Sequence, residues 1–290
     1  MSDQPDQALP APYGRPQGLA LLERLAAETG PIFTTEDAIG AAAALGLARP
    51  AVNGLLAQLA QGPWLARLKR GLYVVQSPLL STEVHPFALA AALVQPCAIS
   101  HWSALAFHGM TTQIPTMIQA STPRAVITPE MRSDRAYRPR GRAVWRALDL
   151  EFEFIAVQPA HFFGLQHEWL TQWHRVALTD RERTLLDVMA HPHVFGGMGA
   201  SIELLEANWP AVDGKKLANY ALRYGVRATI KRMGYWLERF GAPADLVQPL
   251  AEYPVAGYVP LDPAGPSHGE TDGSWRVRLN LVRTNNDGNR

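Results

Sequence analysis

The chain has a single cysteine in 290 residues, Cys97, set in an apolar stretch. That scarcity excludes an intrachain disulfide and any cysteine-rich zinc finger, and it fits a reducing compartment. A small buried hydrophobe is the simplest role for such a side chain. Charge of either sign in excess is also missing: 27 basic against 26 acidic residues leave a formal net charge of +1. Affinity for nucleic acid therefore cannot come from the chain as a whole and must come from local patches. Long hydrophobic runs are lacking too. The longest, Phe87 to Val94 and Ile39 to Ala48, are far too short to cross a bilayer. Met1 to Pro16 is polar and proline-rich, without a basic start or an apolar run, so it reads as a disordered arm and not as a signal peptide or anchor. A soluble, cytoplasmic protein with no membrane partner is expected.

Several catalytic signatures are missing as well. Nine histidines contain no His-Glu-x-x-His spacing, and His191-Pro192-His193 has its proline at an expected helix end, which suits a loop terminus better than a coordination shell. Phe195-Gly196-Gly197-Met198-Gly199 has no following lysine and follows a helical pattern instead of a strand, so turn glycines explain it better than a phosphate loop. There is no Gly-x-Ser-x-Gly elbow, and Cys97 has no base near it in sequence. Neither a metal nor another cofactor is expected.

What is present is a hydrophobic content of 47%, enough for two cores, and a distinctive stretch from Gly18 to Gln76. Leu21, Leu22 and Leu25 recur at helical spacing until Gly30-Pro31 stops the pattern. Thr34, three residues before Asp37, is placed to cap an alanine-rich second helix running through Ile39 and Leu45 to Gly46. A third helix has Pro50 in its first turn and carries Val52, Leu55, Leu56 and Leu59 as a buried stripe. After Gly62-Pro63, Trp64 to Val75 alternates as two strands around a turn containing Gly71. Three helices and a basic ribbon form the layout of a winged helix-turn-helix.

Away from the apolar stripe the third helix offers Arg49, Asn53, Gln58 and Gln61, and none of them is acidic. Arginine can fork onto guanine and the amides can pair with adenine, while a helix N-terminus favours phosphate. Arg67, Lys69 and Arg70 cluster at the ribbon tip with no acid beside them, as binding to a phosphate backbone would require. Small helical triples with a hairpin also bind proteins, and clustered basic residues are common in solvated turns. Periodicity alone leaves both readings open.

The fold class expected is α+β: a disordered arm over 1–17, a winged helix-turn-helix over 18–78 closed by Ser77-Pro78, and a larger mixed α+β domain over 79–290. Within the latter, Ser81 or Thr82 would cap a helix through Phe87 and Leu93 that Pro96 ends, followed by a helix from Ile99 to His108. Strands are expected over 117–121, 125–128, 143–147, 151–157 and 175–178, then a helix capped by Thr179 with Glu182. Helices over 200–206, 216–224 and 227–240 follow, and a strand over 275–282 closes the pattern after a Pro/Gly-rich loop.

Two basic stretches lie in this portion. Arg124, Arg132, Arg135, Arg138, Arg140, Arg142 and Arg146 stand against Glu130 and Asp134; Lys215, Lys216, Arg223, Arg227, Lys231, Arg232 and Arg239 stand against Glu238 alone. Charge on the outer face of amphipathic helices is ordinary, yet Arg135, Arg138, Arg140, Arg142, Arg223, Arg227 and Lys231 are candidates for an antitoxic or nucleic-acid surface. Asp149, Glu151 and Glu153, on one side of a strand, could instead hold magnesium in a nucleic-acid-processing enzyme, although the Gly-Ser turn of a nucleotidyltransferase is missing before them.

Four stretches resemble the AbiEi-type antitoxins of abortive-infection, type IV toxin-antitoxin systems. They are the wing Leu68-Lys69-Arg70-Gly71-Leu72-Tyr73; the run from Ser100-His101-Trp102 to Phe107-His108-Gly109; Asp180-Arg181-Glu182-Arg183-Thr184-Leu185-Leu186-Asp187 with Gly196-Gly197; and Lys231-Arg232-Met233-Gly234-Tyr235-Trp236-Leu237-Glu238. Together they span about residues 18–240. The resemblance implies a non-enzymatic phage-defence protein. Its N-terminal domain would bind an inverted-repeat double-stranded operator and repress its own promoter, and its C-terminal domain would neutralise a neighbouring nucleotidyltransferase-like toxin, with or without direct contact.

Overall fold

The computed structural model describes residues 17–76, 84–133 and 142–281, and the chain divides into two compact units. Unit 1 comprises Met1–His85 with Thr171–His174, and unit 2 comprises Pro86–Leu170 with Arg175–Arg290. The arm, Ser77-Pro78 and the caps at Ser81 or Thr82 lie outside the described residues.

Unit 1 begins with α1 (Gln17–Glu28), whose Leu21, Leu22 and Leu25 are fully buried. Gly30 ends it at φ +84°, and a Cβ there would fall 2.7 Å from the side chain of Trp173, so only glycine fits both backbone and neighbour. A strand not anticipated from periodicity follows, β1 (Ile32–Thr34). Its last residue caps α2 (Thr35–Ala43): the Asp37 amide donates to Thr34 Oγ1 at 3.2 Å and the Thr34 amide donates to the Asp37 carboxylate at 2.7 Å. The alanines of α2 are there for close approach, since Ala38, Ala41 and Ala42 are the side chains it buries. α3 (Arg49–Leu59) buries Val52 and Leu56, with Pro50 in its first turn. β2 (Leu65–Lys69) and β3 (Leu72–Val75) then pair antiparallel, and Gly71 at φ +74° turns the chain between them. The sheet order is β1-β3-β2.

Unit 2 opens with α4 (Pro86–Leu93), β4 (Ala98–Ile99), α5 (His101–Phe107), β5 (Ile118–Thr122) and α6 (Pro129–Ser133). β6 (Arg142–Ala147), β7 (Leu150–Ala156), β8 (Leu165–Trp169) and β9 (Arg175–Thr179) complete a mixed six-stranded sheet of order β6-β7-β5-β4-β9-β8. The helical half comprises α7 (Arg181–Ala190), α8 (Met198–Asn208), α9 (Gly214–Tyr224), α10 (Arg227–Arg239) and α11 (Ala244–Glu252). A small sheet follows, in which β12 (Val277–Leu279) lies between β10 (Val259–Pro260) and β11 (Glu270–Asp272).

Three local expectations are corrected. Ile99 belongs to β4, and the helix starts only at His101. Residues 125–128 form no strand. The cap of α7 is Asp180, whose carboxylate accepts from the Arg183 amide at 2.8 Å; Thr179 ends β9 and spends its hydroxyl on Thr184.

α7 is the axis of unit 2, buried from Glu182 to Met189. A helix buried on all sides must satisfy its own polar residues. Arg183 Nε donates to Asp187 at 3.0 Å, and the same guanidinium donates to the carbonyls of His161 and Phe163. Burial works to raise the Asp187 carboxyl, but Arg183, helped by His101 and His191, outweighs it and holds the pKa below its usual value. At the N-terminus of α7, Lys216 bridges Asp180 at 3.1 Å and Glu182 at 2.8 Å while the Tyr220 hydroxyl donates to Asp180 at 2.9 Å.

Candidate nucleic-acid interface

One end of unit 1 gathers the groups suited to DNA, and α2 is what gathers them. The Thr35 amide donates to the Gly71 carbonyl at 3.0 Å, which ties the wing turn to the start of α2. Glu36, the next residue, accepts from Arg49 at 2.7 Å, which ties the start of α3 to the same turn. Both partners of that pair are more than three-fifths exposed, at 65% and 70%, so the bond is a weak surface pair that a phosphate or a base edge can replace. Ala48, the residue before α3, offers no side-chain cap. Pro50 has no amide hydrogen, and the Ala51 and Val52 amides donate to the Ala48 carbonyl at 3.0 and 3.3 Å, so within this first turn the Arg49 amide is the one left to solvent or to an anion.

Asn53 lies four residues after Arg49 and shares its flank of the helix; both are exposed. Gln58 does not join them. Five residues beyond Asn53 it is rotated by about 140° around the axis. It lines a groove of about 470 Å³ with Gln17, Leu22, Leu59 and Trp64. On the wing, Arg67 and Arg70 are exposed, while Leu68 between Arg67 and Lys69 is buried because the strand bulges there. Lys69 is half-buried, and that burial lowers its pKa.

The candidates in unit 2 separate. Arg135, Arg138 and Arg140 lie outside the described residues. Arg142 is bound to Glu153 at 2.6 Å. Arg223 and Arg227 are exposed, the former with its guanidinium 4.1 Å from the centre of the Phe163 ring. Lys231 is not a surface residue: it is 1% exposed and its ammonium donates to the carbonyls of Leu250 and Ala251, closing the end of α11. The basic run 215–239 misleads at that position because helical periodicity turns Lys231 toward Ile230, Met233 and the core.

The carboxylates of the alternative, magnesium-binding reading do not converge. Asp149 sits in the β6–β7 turn at φ +60°, Glu151 is paired with Arg146 at 2.7 Å, and Glu153 is buried between Arg142 and Gln119. Among the described residues no group of three or more His, Cys, Asp or Glu is placed to hold a metal ion. Cys97 is buried, and burial pushes its thiol up to about 12, far from a nucleophile's range.

A capped second helix, a third helix with an exposed polar flank and a basic antiparallel ribbon define a helix-turn-helix of the winged class. Residues 21–76 match the family model described as "Transcriptional regulator, AbiEi antitoxin", so this segment is similar to the regulator module of that family. The match ends just past β3 and leaves unit 2 outside it. No curated protein matches the chain. Among solved structures the fold is similar to that of the RV2827C protein from Mycobacterium tuberculosis, with TM-score 0.62 and 16% identity over 94% of this chain and 92% of that one. Both units therefore have their fold counterpart in one protein. No helix among the described residues is long and apolar enough to cross a membrane.

Proposed function

We propose that the chain is a cytoplasmic DNA-binding autorepressor and antitoxin of an abortive-infection system. In this reading unit 1 binds an inverted-repeat operator, and unit 2 neutralises a nucleotidyltransferase-like toxin without catalysis of its own. The observation that carries it is the joining of the wing turn and the N-terminus of α3 through Thr35 and Glu36, inside the segment that matches the antitoxin regulator model. Arg49 and Asn53 are assigned to base edges, and Arg67 and Arg70 to phosphates, with Lys69 a lesser contributor because part of its stem is already packed. Gln58 is assigned no base, since it stands on the other flank.

The test has two arms. Asn53→Ala should cost about 1 to 3 kcal/mol at one operator position and leave non-specific DNA binding nearly intact. Gel shifts with single-base operator variants measure this, and a uniform loss on every sequence would reassign Asn53 to the backbone. In the second arm, growth under expression of the neighbouring toxin is scored with the full chain and with an Asn53→Ala, Arg70→Ala variant. Protection should survive in the variant while promoter repression is lost. Loss of both together would reject the division of labour.

A further inference from the structure

The hairpin at the edge of the large sheet in unit 2 carries a surface that neither repression nor the antitoxin motifs account for. β8 and β9 pair antiparallel with Leu165 opposite Thr179, His167 opposite Ala177 and Trp169 opposite Arg175. Directly paired residues share a face of a sheet, and alternate residues along a strand do so too. His167, Trp169 and Arg175 therefore stand together on one face, and all are exposed. Val176 and Leu178 take the opposite face and are buried at 2% and 0%.

Along the exposed face runs an open cleft of about 560 Å³. Its floor is apolar, made by Pro96, Cys97, Phe162 and Leu165, and its rim carries Arg124, His167 and Arg175. Arg124 and Arg175 are exposed, and neither guanidinium has an ion pair or a side-chain hydrogen bond among the described residues. The carboxylate within β8, Glu168, faces away and is bonded to Gln166 at 3.0 Å. Beyond the rim, two residues along β8 from His167 and hence about 7 Å on, Trp169 leaves 64% of its surface in solvent.

An aromatic ring that exposed is a poor fit to a bare surface, and Arg175 opposite it, with Arg124 on the rim of the same cleft as Arg175, sets the chemistry of what covers it. An apolar partner would leave the guanidiniums desolvated, and a free phosphate would leave Trp169 bare. A duplex would meet the cations but keep its bases stacked on each other. An unpaired base flanked by phosphates satisfies ring and cations together. We propose that this face binds single-stranded nucleic acid, with a base stacked on Trp169 and adjoining phosphates on Arg175 and Arg124, the cleft floor taking a second base. The proposal is independent of the operator reading, because every residue in it belongs to unit 2.

Fluorescence anisotropy of the full chain with an end-labelled mixed-sequence oligoribonucleotide, the matching deoxyribonucleotide and their blunt duplexes provides the test, each at several salt concentrations. Single strands should bind, and the two sugar backbones distinguish RNA from DNA as the source. Trp169→Ala should weaken single-strand binding by about 5- to 100-fold, and Trp169→Phe should restore most of it. Arg124→Ala and Arg175→Ala should each lower the salt slope by about 0.7. Repeating the Trp169→Ala comparison in an Arg67→Ala, Arg70→Ala background removes the wing's own phosphate contacts, and the same fold-loss there separates this face from the winged unit. All the substituted side chains are exposed, so unchanged thermal midpoints are expected and are measured alongside. No single-strand binding by the wild-type chain, equal affinity of wild type and Trp169→Ala, or a loss confined to duplexes would each overturn the proposal. So would a Trp169→Ala variant that no longer neutralises a co-expressed toxin while keeping its single-strand affinity.

Discussion

Replacing Arg67 and Arg70 together by alanine is the most direct probe of the wing, because its magnitude follows from counterion release and not from any detail of the operator. Both side chains are exposed, Arg67 opposite Tyr73 on the ribbon and Arg70 at the turn before Gly71, so truncation removes charge without opening the core. Each phosphate of B-DNA that is no longer neutralised lowers the slope of log affinity against log salt by about 0.9, so two lower it by about 1.8. Between about 50 and 200 mM salt, a fourfold change, the wild-type affinity should then fall roughly 12-fold further than that of the variant. Operator and scrambled duplexes titrated at four salt concentrations measure the slopes. The two lines for the variant should be shallower than the wild-type lines by the same amount on both duplexes, since phosphates carry no sequence. Parallel lines for wild type and variant would take the wing tip off the DNA. A change seen only on the operator would mean that the arginines read bases. Lys69→Ala should change the slope by clearly less, because Lys69 is half-buried and its ammonium is already partly desolvated.

Other consequences follow from the packing. Gly234→Ala puts a Cβ 2.2 Å from the ring of Trp275, which is buried and held by its Nε1–H donating to Glu238 at 2.6 Å; the chain should lose about 2 kcal/mol or more despite a helix-propensity gain of roughly 1, read as a lower urea midpoint. Gly54→Ala meets nothing within 4 Å on an exposed face of α3 and should stabilise unit 1 by about 0.5 to 1 kcal/mol; a loss there would mean that the helix is strained at this position. Buried His101 is pushed down to about 4, chiefly by burial with Asp187 working against it, so its neutral form stabilises the fold fully above its unfolded value near 6.5. That contribution, about 3 kcal/mol in all, is lost as pH falls from roughly 6.5 toward 4, and a urea midpoint that stays flat between pH 7 and 5 would disprove the neutral assignment.

The helices and the ribbon were legible because their apolar residues repeat at a fixed period over many positions. Leu21, Leu22 and Leu25 read as one face and are all fully buried, and the Thr34–Asp37 cap reads from a three-residue spacing that the structure realises. Short elements escape this logic. β1 has three residues and exists because Val74, Tyr73 and Leu72 offer it an edge, a partner about forty residues away that no local window contains. β8 reads Leu-Gln-His-Glu-Trp, too polar for a buried strand, since it lies at the sheet edge with His167 and Trp169 outward. α11 carries Pro249 inside it, a residue that a sequence reading takes as a stop.

Site residues were less legible, and the reason is physical. A charge in a sequence does not announce whether it faces solvent: Arg223 and Lys231 sit in one basic run, yet the first is exposed and the second closes the end of a helix inside the core. The same holds for the stretches that carry the antitoxin resemblance in unit 2. His101 is fully buried, Trp102 donates its indole N–H to the Val194 carbonyl, Arg183 and Asp187 neutralise each other at the centre of α7, and Arg232 and Glu238 anchor Pro260 and Trp275. Trp102, Arg183, Asp187 and Arg232 thereby pair polar atoms inside the unit, a packing role. Likeness at such positions therefore speaks to packing before it speaks to function. The same stretches also expose Phe107, Arg181 and Glu238, and outside them Arg124, His167, Trp169 and Arg175 present a ring and two cations without an ion pair among the described residues, the face for which single-strand binding is proposed.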